Sequence, residues 1–133
     1  MLTLRLALIG TLFLASCGAP TPDDHKEVKA QGAPALAFRT IAGEDVFAVI
    51  VPAQMSANEL VLSARKQCGQ REFCQVHGWM TEADAASAMP LTDREVATQV
   101  FEYAHNRSTG FEKRLWDCGR WPRKDEDECL AKD

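Results

Sequence analysis

The chain has 133 residues, of which 26% are charged and 46% are apolar, and its formal net charge is −4 at pH 7. This composition is typical of a folded globular protein and argues against an intrinsically disordered chain. The mildly acidic balance argues against nucleic acid as a partner, because nucleic-acid-binding surfaces carry an excess of lysine and arginine. The length predicts one small domain.

The first seventeen residues have the pattern of an export signal. Arg5 precedes an apolar run over 6–14, and this run of about nine residues is shorter than the roughly 20 that a membrane-spanning helix needs. The stretch Leu14-Ala15-Ser16-Cys17 follows and resembles the lipobox of bacterial lipoproteins. The resemblance implies that residues 1–16 are a signal peptide and that Cys17 carries the lipid.

Lipidation at Cys17 would also set the location of the protein. In bacterial lipoproteins the matching cysteine receives a diacylglyceryl group on sulfur and, after cleavage, an acyl chain such as palmitate on its amine. Two or more acyl chains give stable anchoring. Gly18 follows Cys17 where some lipoproteins have aspartate, which resembles cargo sent to the outer membrane and facing the periplasm. The alternative is an ordinary secretory signal, cut near Ala19, that leaves Cys17 as a free thiol.

Residues 17–43 are predicted to form a flexible tether that leads to a folded domain over 44–133. Three prolines and three glycines interrupt regular structure in this stretch, and its charged side chains keep it solvated. Near its end, Phe38 and Ile41 are expected to pack on the domain as a short edge segment. A tether of this kind would separate the domain from the membrane surface.

The first half of the domain predicts a strand, a helix and a second strand. The apolar run 46–51 predicts a buried strand, which we place at the centre of the sheet. A capping box formed by Ser56 and Glu59 opens a helix with an apolar stripe, and Gly69 ends it. Side chains that alternate in polarity over 73–79 predict the second strand.

The second half predicts another helix and a third strand. Thr92 and Glu95 form a second capping box, and an apolar stripe continues until the helix fades at Asn106. Charged side chains over 111–118 are typical of an edge strand. The predicted order is β-α-β-α-β, a small two-layer α+β sandwich with both helices on one face. Helices on both faces are the alternative, which needs more apolar strand surface than this chain has.

The domain contains four cysteines, and an even number in an oxidising periplasm predicts two disulfides. We expect the pairs Cys68–Cys74 and Cys118–Cys129, which are one of three pairings. A short connection joins the first pair, and the tail folds back on the third strand to join the second. The alternative is a structural zinc site at Cys74 and His77 that Cys68, Cys118 and Cys129 would complete, but a strand would place Cys74 and His77 on opposite sides.

Parts of the domain resemble small secreted domains of alphaproteobacteria. The resemblance is carried by the pieces Cys68-Gly69, Cys74, Gly78-Trp79 and Leu115-Trp116-Asp117-Cys118. It implies no particular activity, so the function has to be inferred from the residues themselves.

Catalytic motifs are missing from the sequence of the domain. It has no glycine-rich phosphate loop, no Gly-x-Ser-x-Gly elbow and no His-Glu-x-x-His helix. His77 and His105 are its two histidines, and no spacing brings them to Asp93, Glu95 or Glu102. We therefore predict a non-catalytic protein without a metal or cofactor, and a small periplasmic enzyme is the less favoured alternative.

One aromatic residue, Trp121, lies between Arg120 and Pro122 in a charged tail, where burial is difficult. Tryptophan and arginine are enriched among the residues that dominate protein interfaces. Arg120, Trp121 and Arg123 therefore form the predicted binding surface, and the predicted partner is another protein of the envelope. The alternative is a peptidoglycan- or glycan-binding domain with tryptophan stacked on sugar rings, a hypothesis that rests on fold-level analogy.

Overall fold

The computed structural model describes residues 35–132, which form a mixed five-stranded sheet with two α-helices. The elements in chain order are β1 (Phe38–Ala42), β2 (Val46–Ile50), α1 (Ala57–Cys68), β3 (Phe73–Trp79), α2 (Asp93–Thr98), β4 (Phe101–Asn106), β5 (Phe111–Trp116) and a 3₁₀ turn (Glu126–Glu128). The predicted signal peptide, Cys17 and most of the predicted tether lie outside the described residues. No helix among 35–132 is both long and apolar enough to cross a membrane.

The strands lie in the order β1-β2-β3-β4-β5. Strands β2 and β3 are parallel and are joined through α1, because a parallel pair needs a crossover connection. The other neighbours are antiparallel. The sheet and helices agree with the α+β class, but the observed order β-β-α-β-α-β-β has two more strands than the predicted order. The central strand is β3, so the prediction that residues 46–51 form the centre was wrong.

Strand β1 lies inside the range 17–43 that the sequence assigns to the tether. It pairs with β2, and Phe38 lies opposite Val49 in the register. Ile41 is buried, and Phe38 is partly buried against the main core, which is the apolar cluster between the sheet and α1. The turn between the two strands has Gly43 at φ 51°, a left-handed conformation that glycine adopts without strain. The sheet therefore begins before the predicted boundary at 44, with an edge strand where Phe38 and Ile41 predicted an edge segment.

Helix α1 begins and ends as the local sequence predicts. The Ser56 hydroxyl accepts the Glu59 N–H at 3.3 Å, and the Glu59 carboxylate accepts the Ser56 N–H at 2.8 Å. This reciprocal pair satisfies N–H groups that have no partner within the helix. One side of the helix is buried against the sheet face that carries Phe47, Cys74 and Val76. The buried helix residues are Leu60, Val61, Ala64 and Cys68.

Helix α2 is shorter than predicted. Its capping box at Thr92 and Glu95 forms, but the helix ends at Thr98, and residues 101–106 are strand β4. The apolar residues in this segment fit a helical period and an alternating period equally well. Strand pairing with β3 and β5 decides between them, because it buries Phe101 and Tyr103 on the α1 side of the sheet. The prediction of a helix up to Asn106 was therefore wrong.

The two helices contact opposite faces of the sheet, which corrects the prediction that both lie on one face. Trp79 points away from the α1 side and donates its indole N–H to the Glu95 carbonyl at 2.8 Å. It belongs to a second, smaller core with Ile41, Ala48 and Ala86. The connection from β3 to α2 covers this core with its own apolar side chains, Ala85, Ala86 and Leu91.

Two disulfides tie helix and tail to the sheet, in the two pairs expected from the sequence. The Cys68–Cys74 bond joins the end of α1 to the start of β3, with a Cα–Cα distance of 5.6 Å. The Cys118–Cys129 bond returns the C-terminal segment to the end of β5, with a Cα–Cα distance of 5.5 Å. Beside it, the N–H of Leu130 donates to the carbonyl of Trp116 at 2.8 Å. The tail is thereby held along the sheet edge.

Candidate functional site

A groove of about 270 Å³ lies between α1, β5 and the C-terminal segment. It is lined by Asn58, Val61, Leu62, Arg65, Arg114, Trp116, Arg123 and Glu128. Three of these described residues are arginines and one is acidic, so we refer to this site as the arginine groove. Its three walls come from parts of the chain that are far apart in sequence.

Helix α1 supplies one wall of the arginine groove. Asn58, Val61, Leu62 and Arg65 follow the spacing i, i+3, i+4, i+7 and therefore share one side of the helix. Val61 is buried against the sheet, whereas 62% of Leu62 is exposed. The wall is thus an apolar ledge with a charged residue at its C-terminal end.

Strand β5 supplies the second wall. Side chains alternate along a strand, so Arg114 and Trp116 point toward α1 while Lys113 points to the opposite face. The register agrees, because Arg114 lies opposite the buried Tyr103 and Lys113 lies opposite Ala104. Trp116 is 97% buried and forms the base of the groove, whereas the Arg114 side chain is 45% exposed.

The C-terminal segment supplies the third wall, through a stack of aromatic and guanidinium groups. The guanidinium carbon of Arg123 lies 4.3 Å from the centre of the Trp116 ring, and Trp121 contacts Trp116 edge-on at 5.5 Å. Arg120 stacks on Trp121 at 4.8 Å and donates to the carbonyls of Pro52 and Ala53. Each guanidinium is attracted by the face of the tryptophan that it covers.

The three residues expected to form a binding surface, Arg120, Trp121 and Arg123, do not all lie at one site. Arg123 lines the arginine groove. Trp121 is half-buried against the main core, and Arg120 is directed at the segment that follows β2. Trp121 and Arg120 therefore hold the C-terminal segment in place, and Arg123 is the member of the set that reaches the groove.

Arg65 is occupied by an internal carboxylate. Its Nη2 and Nε donate to the two oxygens of Glu112 at 2.6 and 3.1 Å, which is a bidentate pair. The hydroxyl of Tyr103 lies 3.1 Å from the same carboxylate. The hydrogen bond from Arg65 holds the pKa of Glu112 below its usual value, and burial raises the pKa of Tyr103. Arg65 is thus a structural contact as well as part of the wall.

Unlike Arg65, Arg114 and Arg123 have no hydrogen bond to a carboxylate among the described residues. Arg114 forms an ion pair with Glu112 at 3.7 Å, a distance too long for a hydrogen bond, and Arg123 Nε is buried without a hydrogen-bond partner among the described residues. Each guanidinium carries five N–H donors in a planar fork. Both groups therefore retain donors for an anionic ligand, and carboxylate and phosphate are the groups that match the fork.

The two histidines of the domain lie on opposite faces of the sheet. His77 is 97% buried with Trp79, whereas His105 lies beside Cys74 on the α1 side, and its Nε2 is 3.0 Å from the Arg71 carbonyl. The pairing of β3 with β4 places Glu102 next to His77, which the sequence spacing does not reveal. The sheet thus separates the two histidines but brings one candidate carboxylate, Glu102, next to His77.

His77 has one partner for its ring. Gln99 Nε2 donates to His77 Nδ1 and to the Phe101 carbonyl, each at 2.9 Å, so the proton of the neutral ring is on Nε2. That Nε2 atom has no hydrogen-bond partner within 35–132. Burial lowers the pKa of His77, and the nearby charge of Glu102 opposes the shift. Burial therefore favours the neutral form of the ring in the folded protein.

Of the residues that line the arginine groove, Arg123 was predicted from the sequence, and the others were missed. Arg114 was considered only as one of the charged side chains of an edge strand, and Arg65 was not considered as part of a binding surface. The sequence did contain part of the pattern. Arg114 and Trp116 are two residues apart and lie on the same face of β5, and Asn58 and Leu62 lie on the same side of α1. The sequence does not show that α1 and β5 lie next to each other, so the groove between them could not be predicted.

A second open groove, of about 330 Å³, lies between α2 and the end of the chain. Its lining has one acid and one base, Asp93 and Lys132, and otherwise small or aliphatic side chains. It offers less specific chemistry than the arginine groove. Comparison with family models, curated proteins and solved structures found no match to this chain, so the assignment of a site depends on its own geometry.

Proposed function

We propose that this protein is a lipid-anchored, non-catalytic module of the cell envelope whose domain binds another protein at the arginine groove. One observation carries the proposal: the exposed Leu62 lies beside two arginines, Arg114 and Arg123, that retain hydrogen-bond donors. Protein interfaces are built from such combinations, with an apolar centre, arginine and buried tryptophan.

The size of the groove favours side chains of a partner over a free small molecule. Pockets that enclose drug-sized ligands have volumes of roughly 300–1,000 Å³ and bury most of the ligand. The arginine groove has about 270 Å³ and is open along one side. A site of this form can accept a few side chains from a larger surface.

The anchor is part of the same proposal. The lipobox Leu14-Ala15-Ser16-Cys17 supports acylation at Cys17, and the proline- and glycine-rich stretch after it supports a tether. We place the domain in the periplasm, attached to the outer membrane. A tethered binding domain gains effective concentration at that surface without any further contact.

Photo-crosslinking in the native cells tests the proposal. Leu62 is replaced by p-benzoylphenylalanine in the full-length protein, and adducts are compared with those from the same replacement at Phe111. Both side chains are more than half exposed, but Phe111 lies outside the groove. We expect a discrete protein adduct from position 62 and none of that mass from position 111. The absence of an adduct specific to position 62 would contradict protein binding at the groove.

The glycan-binding alternative has its own supporting observation. Phe73 and Phe111 are 44% and 51% exposed and lie in one row across β3, β4 and β5, with Asn106 between them. Neighbouring strands are about 4.8 Å apart, so the backbones of Phe73 and Phe111 are about 10 Å apart, and both side chains lie on the face opposite α1. In this case purified protein would co-sediment with peptidoglycan sacculi, and Phe73→Ala would abolish that binding while Leu62→Ser would not.

A further inference from the structure

We propose that the occupant of the arginine groove is an acidic peptide segment of the partner, with a carboxylate bound by Arg114 and Arg123 and an apolar side chain against Leu62. This inference rests on the proposed function, because it assigns the chemistry of the ligand at the same site. It commits to a carboxylate-bearing protein segment and not to an anionic membrane.

One arginine of the groove, Arg65, already binds a carboxylate of the protein itself. Glu112 receives two hydrogen bonds from Arg65 and lies within hydrogen-bond distance of the Tyr103 hydroxyl. That internal pair uses up the donors of Arg65 that face β5, whereas Arg114 and Arg123 are left without a hydrogen-bonded acid among the described residues. A second carboxylate, supplied by a ligand, would give Arg114 and Arg123 the hydrogen-bonded acid that Arg65 already has in Glu112.

The position of Arg123 favours binding without a large loss of side-chain freedom. Its guanidinium is stacked on Trp116, and the tail that carries it is held by the Cys118–Cys129 disulfide. An arginine that is already ordered loses less entropy when it binds than a free surface arginine does. Its Nε atom is buried, so the Nη atoms are the donors that a carboxylate would reach.

An acidic run at the rim favours a narrow peptide over an extended anionic surface. Residues 125–128 read Asp-Glu-Asp-Glu, three of these side chains are exposed, and Glu128 lines the groove itself. A flat anionic membrane that approached the arginines would also meet these four charges and be repelled by them. A single chain with one or two carboxylates can enter between the α1 wall and β5.

Leu62 supplies the apolar half of the recognition. It is the most exposed of the large apolar side chains in the described part of the chain, and the buried Val61 and Trp116 lie at the base beside it. Covering this ledge removes apolar surface from water, which is favourable in proportion to the area. We therefore expect an apolar residue next to the acidic one in the bound segment.

Charge variants of the crosslinking protein test this inference. In the protein with p-benzoylphenylalanine at position 62, Arg114→Gln and Arg123→Gln should each lower the adduct yield by about ten-fold, because each removes a charge-assisted hydrogen bond. Lys113→Gln is the matched control, since it removes the same charge from the same strand on the opposite face. Arg114→Lys should restore only part of the yield, because lysine keeps the charge but lacks the fork.

Competition separates the sources of negative charge. A free peptide of alternating Glu and Leu should reduce the adduct, its Gln-for-Glu counterpart should not, and vesicles containing phosphatidylglycerol should not. Competition by the vesicles alone would overturn the inference in favour of a membrane ligand. An adduct of normal yield in the Arg114→Gln and Arg123→Gln variants, each with an unchanged melting temperature, would also overturn it and leave the proposed protein binding intact. If the parent protein gives no adduct at position 62, the proposed function itself fails.

Discussion

Arg123 places its guanidinium carbon 4.3 Å from the centre of the Trp116 ring and so joins the C-terminal segment to the edge strand β5. Trp121 contacts the same ring edge-on, which makes Trp116 the shared partner of two tail residues. The contact has two consequences. It covers the end of β5, and it presents one arginine to the groove in a fixed position.

Replacement of Trp121 by alanine should destabilise the domain. The side chain is half-buried against Trp116 and under the Arg120 guanidinium, so its loss removes an aromatic pair, a cation–π contact and apolar cover. We expect a loss of about 1–3 kcal/mol in the free energy of unfolding, measured by urea denaturation. Phe111→Ala, at a half-exposed site, is the control and should cost less than about 0.5 kcal/mol. An equal effect of the two substitutions would contradict a structural role for Trp121.

The two disulfides should contribute unequally to stability. The loop-entropy model assigns about 2–3 kcal/mol to each, because the loops are short, with sequence separations of 6 and 11. Cys68 and Cys74 are also fully buried in the main core. The double variant Cys68→Ser, Cys74→Ser therefore adds the cost of buried hydroxyls and should unfold at lower urea than Cys118→Ser, Cys129→Ser. The reverse ranking would show that the tail stabilises the domain more than the core bond does.

Acidification should destabilise the domain through His77. Burial lowers the pKa of this ring below its ordinary 6.5 in the folded state only, so the unfolded chain takes up a proton first as the pH falls. The free energy of unfolding should therefore decrease as the pH falls from 6.5 toward the lower pKa of the folded state. Above pH 6.5 the ring is neutral in both states, and this contribution is flat, which provides an internal control. His77→Gln should remove the decrease, and an identical slope in that variant would assign it to another group.

The Arg65–Glu112 pair should show a modest coupling that depends on pH. The two side chains are 48% and 30% exposed, so solvent screening limits the interaction to about 0.2–1 kcal/mol despite its bidentate geometry. A double-mutant cycle with Arg65→Gln and Glu112→Gln measures this coupling. Because the pKa of Glu112 is lowered in the folded state, the stabilisation is present above pH 4.5 and is lost as the pH falls through the lowered value. A coupling that persists in strong acid would show that charge is not its source.

The anchor prediction concerns residues outside the described part of the chain. Cys17→Ser should abolish acylation and leave an unprocessed precursor, because the hydroxyl of serine does not take the place of the sulfur. Metabolic labelling with a fatty-acid analogue, followed by analysis of the size and fractionation of the protein, measures both effects. Cys118→Ser is the matched control, since it removes a cysteine without touching the lipobox. Equal labelling of Cys17→Ser and the parent protein would contradict the lipoprotein assignment.

Several parts of the fold were determined by neighbouring residues and could be predicted from the sequence. The capping box of Ser56 and Glu59 forms within one turn, so the start of α1 is a local property. The cysteines of each disulfide are separated by only 6 or 11 residues, and a short connection leaves little choice of partner. The period of the α1 stripe likewise identifies its buried side without knowledge of the rest of the chain.

Tertiary pairing decided the rest, because the sequence patterns were compatible with two structures. The segment 101–106 satisfies both a helical and an alternating period, and only its position between β3 and β5 makes it a strand. The apolar residues Phe38 and Ile41 predicted a short edge segment, and its pairing with the open edge of β2 makes it the strand β1. Leu62, Arg114 and Arg123 come from a helix, a strand and a tail, so no spacing in the sequence brings them together. The groove exists because the sheet and the Cys118–Cys129 disulfide set these three elements side by side.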